Sequence, residues 1–349
     1  MKRILFFLLC AMCLVACKKN SMTIIGKIDP ELELNGKEVK LVVNDGEAEQ
    51  EYFAEIADNG FKLTKPVPYE QFAAINIADM GDFTFVLEKG VLNLEMEAID
   101  DTLSSYLAHI YVSGTPNNDI INRYNVKGNE LESALRSVDN DDEAQELYDE
   151  FAAQAFDEAM TDITKLGNEY IFTNIVYDLS LEQREKALAG MTQEQLSRKP
   201  LSTIAERTKA QLETAVGKPY TDITFTDAQG SDHQLSEYVG QTDFVLLDIW
   251  ATWCPPCRAL LPKLAQIYHN KNKKHQLQIV SLSVDNDKDT WTKFLAEHKD
   301  YSWIQMSDTY DSAEQYGVMT IPTTVLIDIN GNIVARNISE DELKEILIK

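Results

Sequence analysis

Hydrophobic and polar residues alternate in short runs from residue 22 to about residue 115. Runs such as MTIIGKI, KEVKLVV and FTFVL are separated by turn residues, for example Asn35-Gly36 and Asn44-Asp45-Gly46. Alternation with a period of two is typical of β-strands that bury one face. We therefore predict a small antiparallel β-sandwich or barrel in this region, with its aromatic side chains packed mainly in the core.

The hydrophobic period becomes helical from Asn117 to about Val216. Apolar residues recur three and four positions apart in IINRYNVKGNELESAL and EAQELYDEFAAQAFDEAMTDI, which is the spacing of one helix face. Ser180-Leu-Glu-Gln183 resembles a helix start. We predict a helical connector that has acidic outer faces and packs on one or both of its neighbours.

Strands and helices alternate after Gly217-Lys218-Pro219. FVLLDIW and LQIVSLSVD predict buried strands, DTWTKFLAEH predicts a helix, and TTVLIDINGNIVA predicts a hairpin that turns at Asn330-Gly331. A last helix starts at Ser339, and Glu342 is placed to complete a capping box. This order predicts an α/β sheet with helices on both sides. The predicted fold class is multidomain, with an N-terminal all-β domain at 17–116, a helical connector at 117–215 and a C-terminal α/β domain at 216–349.

The first residues have the features of a targeting segment. Lys2 and Arg3 precede the apolar run ILFFLLCAMCLVA, which is shorter than the roughly 20 residues of a membrane-spanning helix and predicts a signal peptide at 1–16. Leu14-Val15-Ala16-Cys17 resembles the bacterial lipobox, and that resemblance implies lipid attachment at Cys17. The alternative is a plain secretory signal with a chance cysteine. The next residues lack the acidic cluster that sends some lipoproteins to the cell surface, so we expect a periplasmic protein that is lipid-anchored to a membrane.

Charge and cysteine content narrow the function classes. The chain has 57 acidic and 32 basic residues and a formal net charge of −25, and so acidic a surface repels phosphate backbones. We therefore expect no nucleic-acid partner. Of the five cysteines, Cys10 and Cys13 leave with the signal peptide and Cys17 carries lipid, which leaves Cys254 and Cys257. A disulfide that closes so short a loop adds little stability. We therefore assign this pair a chemical role rather than a structural one.

The pair lies in DIWATWCPPCRALLP, residues 248–262, where a buried strand gives way to a helix. Cys254 is expected at the N-cap, at an exposed tip, with Pro255, Pro256 and Cys257 as the first helical residues. The Cys257 amide and the positive end of the helix favour a thiolate at Cys254, although two prolines without N–H groups make the effect moderate. We expect Cys254 to attack a disulfide and Cys257 to resolve the mixed intermediate.

This stretch resembles the active site of the thioredoxin superfamily. It is closest to the extracytoplasmic thiol-disulfide oxidoreductases related to TlpA and ResA, as a lipoprotein of the Bacteroidetes type with an AhpC/TSA-like C-terminal domain. The resemblance covers about 217–349 and implies a thioredoxin-like fold there. Asp248 falls at the position of the buried acid, Pro262 at that of the kinking proline in the helix, and Ile321-Pro322-Thr323 at that of the cis-proline loop. By this resemblance the backbone of Ile321 pairs with an extended substrate segment.

Asp248 is expected to be buried, because it lies in the apolar run FVLLDIW, and burial raises the pKa of a carboxyl group. It could then take the proton of Cys257, or it could be a structural acid. Leu260 stands where relatives often have Glu, which makes a role in cytochrome maturation less secure. We assign Cys254, Cys257, Asp248 and Pro322 to catalysis, and Trp253, Pro255 and Ile321 to substrate contact.

The predicted function is reduction of protein disulfides in the periplasm without a cofactor. Electrons would come from a membrane thiol donor and pass to oxidised periplasmic proteins or apocytochromes. No metal is expected, because zinc would need two further ligands and the five histidines are scattered.

Two alternatives remain. A thiol peroxidase of the same fold would need Pro-x-x-x-Thr-x-x-Cys, but Leu247 and Thr252 do not fit that motif. A binding or assembly lipoprotein with a vestigial redox domain would not need the four catalytic residues together.

Overall fold

The computed structural model describes residues 20–44, 48–99, 108–270 and 274–348. The predicted signal peptide at 1–16 and the lipid-attachment residue Cys17 lie outside the described residues. The chain divides into two compact units. The first ends at Leu179 and also includes Ala189–Thr192, and the second consists of Ser180–Leu188 and Gln193–Lys349. Within the described parts of the chain, no helix combines the length and the apolar character that crossing a membrane requires.

The first unit contains a two-sheet β-structure. Its strands are β1 Ser21–Ile28, β2 Glu38–Asn44, β3 Glu49–Glu55, β4 Gly60–Pro66, β5 Gln71–Ile77, β6 Asp82–Leu87, β7 Gly90–Ala98 and β8 Ala108–Ser113. They form two sheets with the strand orders β4-β1-β7-β8 and β3-β2-β5-β6. The prediction of antiparallel strands is wrong for one pair, since β1 and β7 are parallel. These two strands are far apart in sequence, and turn residues predict pairing only between strands that a hairpin joins.

Six helices follow the β-structure, and they are shared between the two units. They are α1 Pro116–Leu135, α2 Asp141–Ala159, α3 Leu166–Ile175, α4 Leu181–Gly190, α5 Gln193–Ser197 and α6 Leu201–Glu213. The helix start predicted at Ser180-Leu-Glu-Gln183 is confirmed, and the side chains of Ser180 and Gln183 form a capping box before α4. The two compact units divide these helices between them, and the predicted connector at 117–215 stays a prediction.

Specific contacts explain this division of the helices. The carboxylate of Glu88 accepts the backbone N–H of Asn117 at 2.8 Å and its side-chain amide at 3.0 Å, so α1 begins on the first unit. Helix α6 instead belongs to the second unit, where Arg207 forms an ion pair of 2.9 Å with Glu314. Helices α1 and α6 thus each have a side-chain partner that lies far away in the sequence.

The second unit contains one seven-stranded sheet of order β10-β9-β13-β12-β11-β14-β15. Its elements are β9 Thr224–Thr226, β10 Asp232–Gln234, β11 Phe244–Trp250, α7 Pro255–His269, β12 Leu277–Ser283, α8 Lys288–Glu297, β13 Ile304–Ser307, α9 Ser312–Gln315, β14 Thr323–Asp328, β15 Ile333–Arg336 and α10 Glu340–Ile348. Strand β11 is parallel to β12 and antiparallel to β14. Alternate residues of β11 enter two different apolar clusters, as in Leu246 and Val245, so both faces of the strand are buried. The predicted α/β fold is confirmed, and the capping box at Ser339 and Glu342 begins α10.

Candidate active site

Cys254 and Cys257 lie where β11 gives way to α7, and they are joined by a disulfide bond. Cys254 is the N-cap of α7, and its Sγ accepts the backbone N–H of Cys257 at 3.2 Å. Pro255 and Pro256 occupy the first two helical positions, where a missing N–H leaves no intrahelical bond unmade. After reduction, the same amide and the positive end of the helix would stabilise negative charge on the Cys254 sulfur.

Cys254 is not at an exposed tip, which corrects the expectation from the sequence. Only 4% of its surface and 1% of that of Cys257 is exposed. The backbone N–H of Cys254 donates to the carbonyl of Ala251 at 3.2 Å, which closes a turn before the helix. Trp253 is 64% exposed, and Pro255 is also exposed. The exposed surface beside Cys254 in the sequence therefore belongs to its two chain neighbours, Trp253 and Pro255.

The cis-proline loop lies against the disulfide. The Ile321–Pro322 peptide bond is cis, and the carbonyl oxygen of Ile321 is 3.6 Å from the Sγ of Cys254. Strand β14 begins directly after this loop and pairs with β11, so that Thr323 is opposite Ile249. The sheet register thus brings the loop to the end of β11, close to where α7 begins.

Asp248 is completely buried in the middle of the sheet. Ser281 on β12 donates its hydroxyl hydrogen to Asp248 Oδ2 at 2.7 Å, and the indole N–H of Trp303 donates to Ser281 Oγ at 2.8 Å. Among the described residues, Asp248 Oδ1 has no hydrogen-bond partner. Burial raises the pKa of Asp248 to about 6, and the bond from Ser281 opposes this rise. A carboxyl group with this pKa can exchange a proton near neutral pH.

A second carboxylate holds the loop before Cys254. Asp285 accepts the backbone N–H of Thr252 at 3.0 Å and the Thr252 hydroxyl at 2.6 Å. Ser283 also donates to Asp285, at 2.6 Å. The loop that carries the first cysteine is therefore fixed to the end of β12.

Sequence reasoning did not identify three of these residues, Ser281, Trp303 and Asp285. Two of them carried a usable signal. Ser281 is a hydroxyl residue inside the apolar run LQIVSLSVD, and Asp285 follows at its end. Such a residue needs a hydrogen-bond partner once it is buried. The identity of that partner depends on strand order, and Trp303 precedes a strand that was not predicted.

The other residues near the motif have packing positions. Trp250 is fully buried, and its ring centroid lies 5.3 Å from that of Phe294. Arg258 is exposed, with its guanidinium carbon 5.9 Å from the Phe294 ring centroid. Leu260 packs partly buried against the apolar core. In the described ranges, no group of three or more His, Cys, Asp or Glu side chains is arranged to hold a metal ion.

Known proteins match part of this chain. A family described as thioredoxin-like matches residues 241–333. The thiol-disulfide oxidoreductase ResA of Geobacillus kaustophilus is 36% identical over 120 residues, which are 34% of this chain and 67% of the relative. ResA of Geobacillus thermodenitrificans is 32% identical over 135 residues, 38% of this chain and 75% of the relative. The chain belongs to the ResA-like thiol-disulfide oxidoreductases of the thioredoxin superfamily.

Two solved structures are also similar to part of this chain. The thioredoxin domain of a thiol-disulfide oxidoreductase from Bacteroides vulgatus is 31% identical, with a TM-score of 0.34, and the match covers 39% of this chain and 99% of that one. A thiol:disulfide interchange protein from a Bacteroides species is 28% identical, with a TM-score of 0.34, over 38% of this chain and 88% of that one. The relatives' names confirm the predicted superfamily and the assignment as a thiol-disulfide oxidoreductase.

Proposed function

We propose that this oxidoreductase is a reductant of protein disulfides in the periplasm, held at a membrane by lipid on Cys17. The observation that carries the proposal is the position of the Cys254 sulfur. It accepts the Cys257 amide at 3.2 Å, lies 3.6 Å from the Ile321 carbonyl and is flanked by the exposed Trp253. One sulfur is thus presented beside backbone and aromatic groups that can receive a peptide.

The reaction begins with the reduced pair. The Cys254 thiolate attacks one sulfur of the substrate disulfide, that S–S bond breaks, and the second substrate sulfur leaves as a thiolate that takes up a proton. Cys257 then gives its proton to the Asp248 carboxylate, and its sulfur attacks the Sγ of Cys254. This step releases the reduced substrate and forms the Cys254–Cys257 disulfide. Two electrons have passed from the protein to its substrate.

Substrate contact in this proposal comes from groups around Cys254. An extended segment of the substrate pairs with the backbone at Ile321, in the manner of an added β-strand. Trp253 and Pro255, the chain neighbours of Cys254, contribute exposed apolar surface. The cis-Pro322 loop orients the Ile321 carbonyl next to the reacting atom.

The predicted membrane anchor and the family favour electron flow from this protein to its substrates. A membrane thiol donor would reduce the Cys254–Cys257 disulfide, and the substrates would be oxidised periplasmic proteins or apocytochromes. Leu260 stands where relatives often have Glu, and this difference favours a general protein substrate over apocytochromes. Disulfide exchange with a glutathione buffer measures the potential, and we expect a value nearer about −270 mV, as in thioredoxin, than about −120 mV, as in DsbA. A value near the latter would indicate a disulfide donor instead.

Insulin reduction tests the assigned roles. We expect Cys254→Ser to abolish turnover, because serine cannot attack a disulfide. Cys257→Ser should still attack but should accumulate a mixed disulfide with the substrate, since no second sulfur resolves it. Turnover by Cys254→Ser equal to that of the wild type would refute the redox role of this pair.

A further inference from the structure

Three buried side chains form a hydrogen-bond chain that ends at Asp248. Trp303 Nε1 is 2.8 Å from Ser281 Oγ, and Ser281 Oγ is 2.7 Å from Asp248 Oδ2. An indole N–H can only donate, and a serine hydroxyl has one hydrogen and two lone pairs. Because Trp303 donates to the Ser281 oxygen, the single hydrogen of Ser281 is left for Asp248. The direction of the chain is therefore from Trp303 to Ser281 to Asp248.

The hydrogen bond from Ser281 is the main polar contact of Asp248. Strand β12 places Ser281 beside it, and β14 places Thr324 opposite it, and neither side chain is charged. The hydroxyl of Thr324 is buried and has no partner among the described residues. At the start of α7 the titratable groups are the two cysteines, which are bonded to each other here, and Arg258 is exposed. Burial and the hydrogen bond from Ser281 are the causes of the pKa shift of Asp248, and no charged side chain is among them.

We propose that Trp303 and Ser281 are positioning residues for Asp248. The indole N–H orients the serine hydroxyl, the hydroxyl holds Oδ2, and Oδ1 is left as the oxygen that receives the Cys257 proton. The inference rests on the role of Asp248 as a base in the proposed function. It adds two residues to the site, one on β12 and one directly before β13.

The hydrogen-bond chain should have a measurable effect on the pKa of Asp248. The hydroxyl of Ser281 donates to the ionised carboxylate, so its removal favours the protonated form and raises the pKa of Asp248 further. We expect Ser281→Ala to raise this pKa by about one unit, because hydrogen bonds to charged groups are among the stronger ones. Trp303→Phe frees the serine hydroxyl to rotate and to accept from a protonated Asp248. This variant should therefore shift the pKa in the same direction.

The test is a carboxyl ¹³C NMR titration of the full chain in its disulfide form, where the two cysteines do not titrate. The Asp248 signal is identified by its loss in Asp248→Asn. Trp291→Phe is the matched control, since Trp291 is also buried but its Nε1 has no partner among the described residues. We expect upward shifts in Ser281→Ala and Trp303→Phe, and no shift in Trp291→Phe or in Ser281→Thr, which keeps a hydroxyl. Equal shifts in both tryptophan variants, or no shift in Ser281→Ala, would overturn the inference.

The pH dependence of insulin reduction separates this inference from the proposed function. If Asp248 is the base, the rise in rate with pH should move upward in Ser281→Ala and Trp303→Phe by the same amount as the carboxyl titration. In the Asp248→Asn background, the Ser281→Ala substitution should leave the pH profile unchanged. A shifted carboxyl titration with an unshifted rate profile would support the positioning role and reject Asp248 as the base.

Discussion

At the scale of single residues, Asp248 and Cys254 differ in what could be predicted. The burial of Asp248 follows from its place in the apolar run FVLLDIW, and the structure buries it completely. Its partner Ser281 lies 33 residues away and is set by the pairing of β11 with β12. Cys254 is nearly completely buried, with its N–H bonded to the Ala251 carbonyl and its sulfur 3.6 Å from the Ile321 carbonyl. Residue type and local pattern therefore predict burial in a strand well, but not contacts made across elements.

The raised pKa of Asp248 makes the stability of the second unit depend on pH. Its pKa is about 6 in the folded chain, against an ordinary value of 3.8, so between these values the folded state holds a proton that the unfolded state has lost. The contribution of Asp248 to stability therefore falls as pH rises from about 4 to about 6, and above that range it no longer changes. We predict that Asp248→Asn is little different from the wild type at pH 4 and more stable by up to about 3 kcal/mol at pH 8, while insulin reduction is slowed.

Urea unfolding followed by tryptophan fluorescence measures this effect, because all four tryptophans, at 250, 253, 291 and 303, lie in the second unit. Asp341→Asn is the control, since the Asp341 side chain is 97% exposed. A stability gain in Asp248→Asn that is the same at pH 4 and pH 8 would argue against a proton linked to folding at this site.

At the scale of secondary-structure elements, the sequence predicted the types of element better than their partners. The strands β11 and β12, the helix α7 and the hairpin of β14 and β15 occur where the pattern indicates them. The parallel pairing of β1 with β7 and the four-residue strand β13 were not predicted, because neither has a local turn signal. Helix α6 was predicted as part of a connector, but its helical period does not indicate which surface it packs against.

Helix α6 supports the chain segment that leads into the cis-proline loop. Gly317 has a φ of +61°, and a Cβ there would lie 2.3 Å from the Arg207 carbonyl oxygen and 2.4 Å from the Gln211 nitrogen. Arg336 links the two segments by hydrogen bonds. It donates to the carbonyl of Tyr316, next to Gly317, at 2.8 Å and to that of Thr214, at the end of α6, at 3.0 Å. The close approach of two backbones thus requires glycine at position 317.

We predict that Gly317→Ala destabilises the second unit by more than about 2 kcal/mol, because it adds a steric clash to the cost of a positive φ. It should also slow insulin reduction, since the segment before Ile321 must move. Gly230→Ala is the matched control: its φ is +89°, but the nearest atom to an added Cβ is Lys288 Nζ at 3.9 Å. Equal losses in the two variants, measured by urea unfolding, would show that backbone conformation alone is responsible and that α6 does not constrain the segment.

At the scale of the whole molecule, the redox chemistry and the predicted anchor lie at separate places in the sequence. The cysteine pair belongs to the second unit, and the family match at 241–333 also lies within it. Cys17 precedes β1, the first strand of the first unit. A motif of a few residues was enough to predict the chemistry, whereas the division of six helices between two units depends on long-range contacts such as Arg207 with Glu314. The anchor is therefore open to a test that leaves the redox site intact.

We predict that Cys17→Ser loses lipid, while Cys10→Ser, which changes a cysteine inside the predicted signal peptide, does not. Metabolic labelling with an alkyne fatty acid in a Gram-negative host measures this directly, and detergent phase partition measures the loss of membrane affinity. One or more acyl chains each contribute about 0.8 kcal/mol per buried CH₂ to membrane binding, so the labelled protein should enter the detergent phase. Insulin reduction by detergent-solubilised Cys17→Ser should match that of the wild type, because the redox pair at Cys254 and Cys257 is unchanged. Label that persists in Cys17→Ser, or that is absent from the wild type, would show that this cysteine is not the lipid-attachment residue.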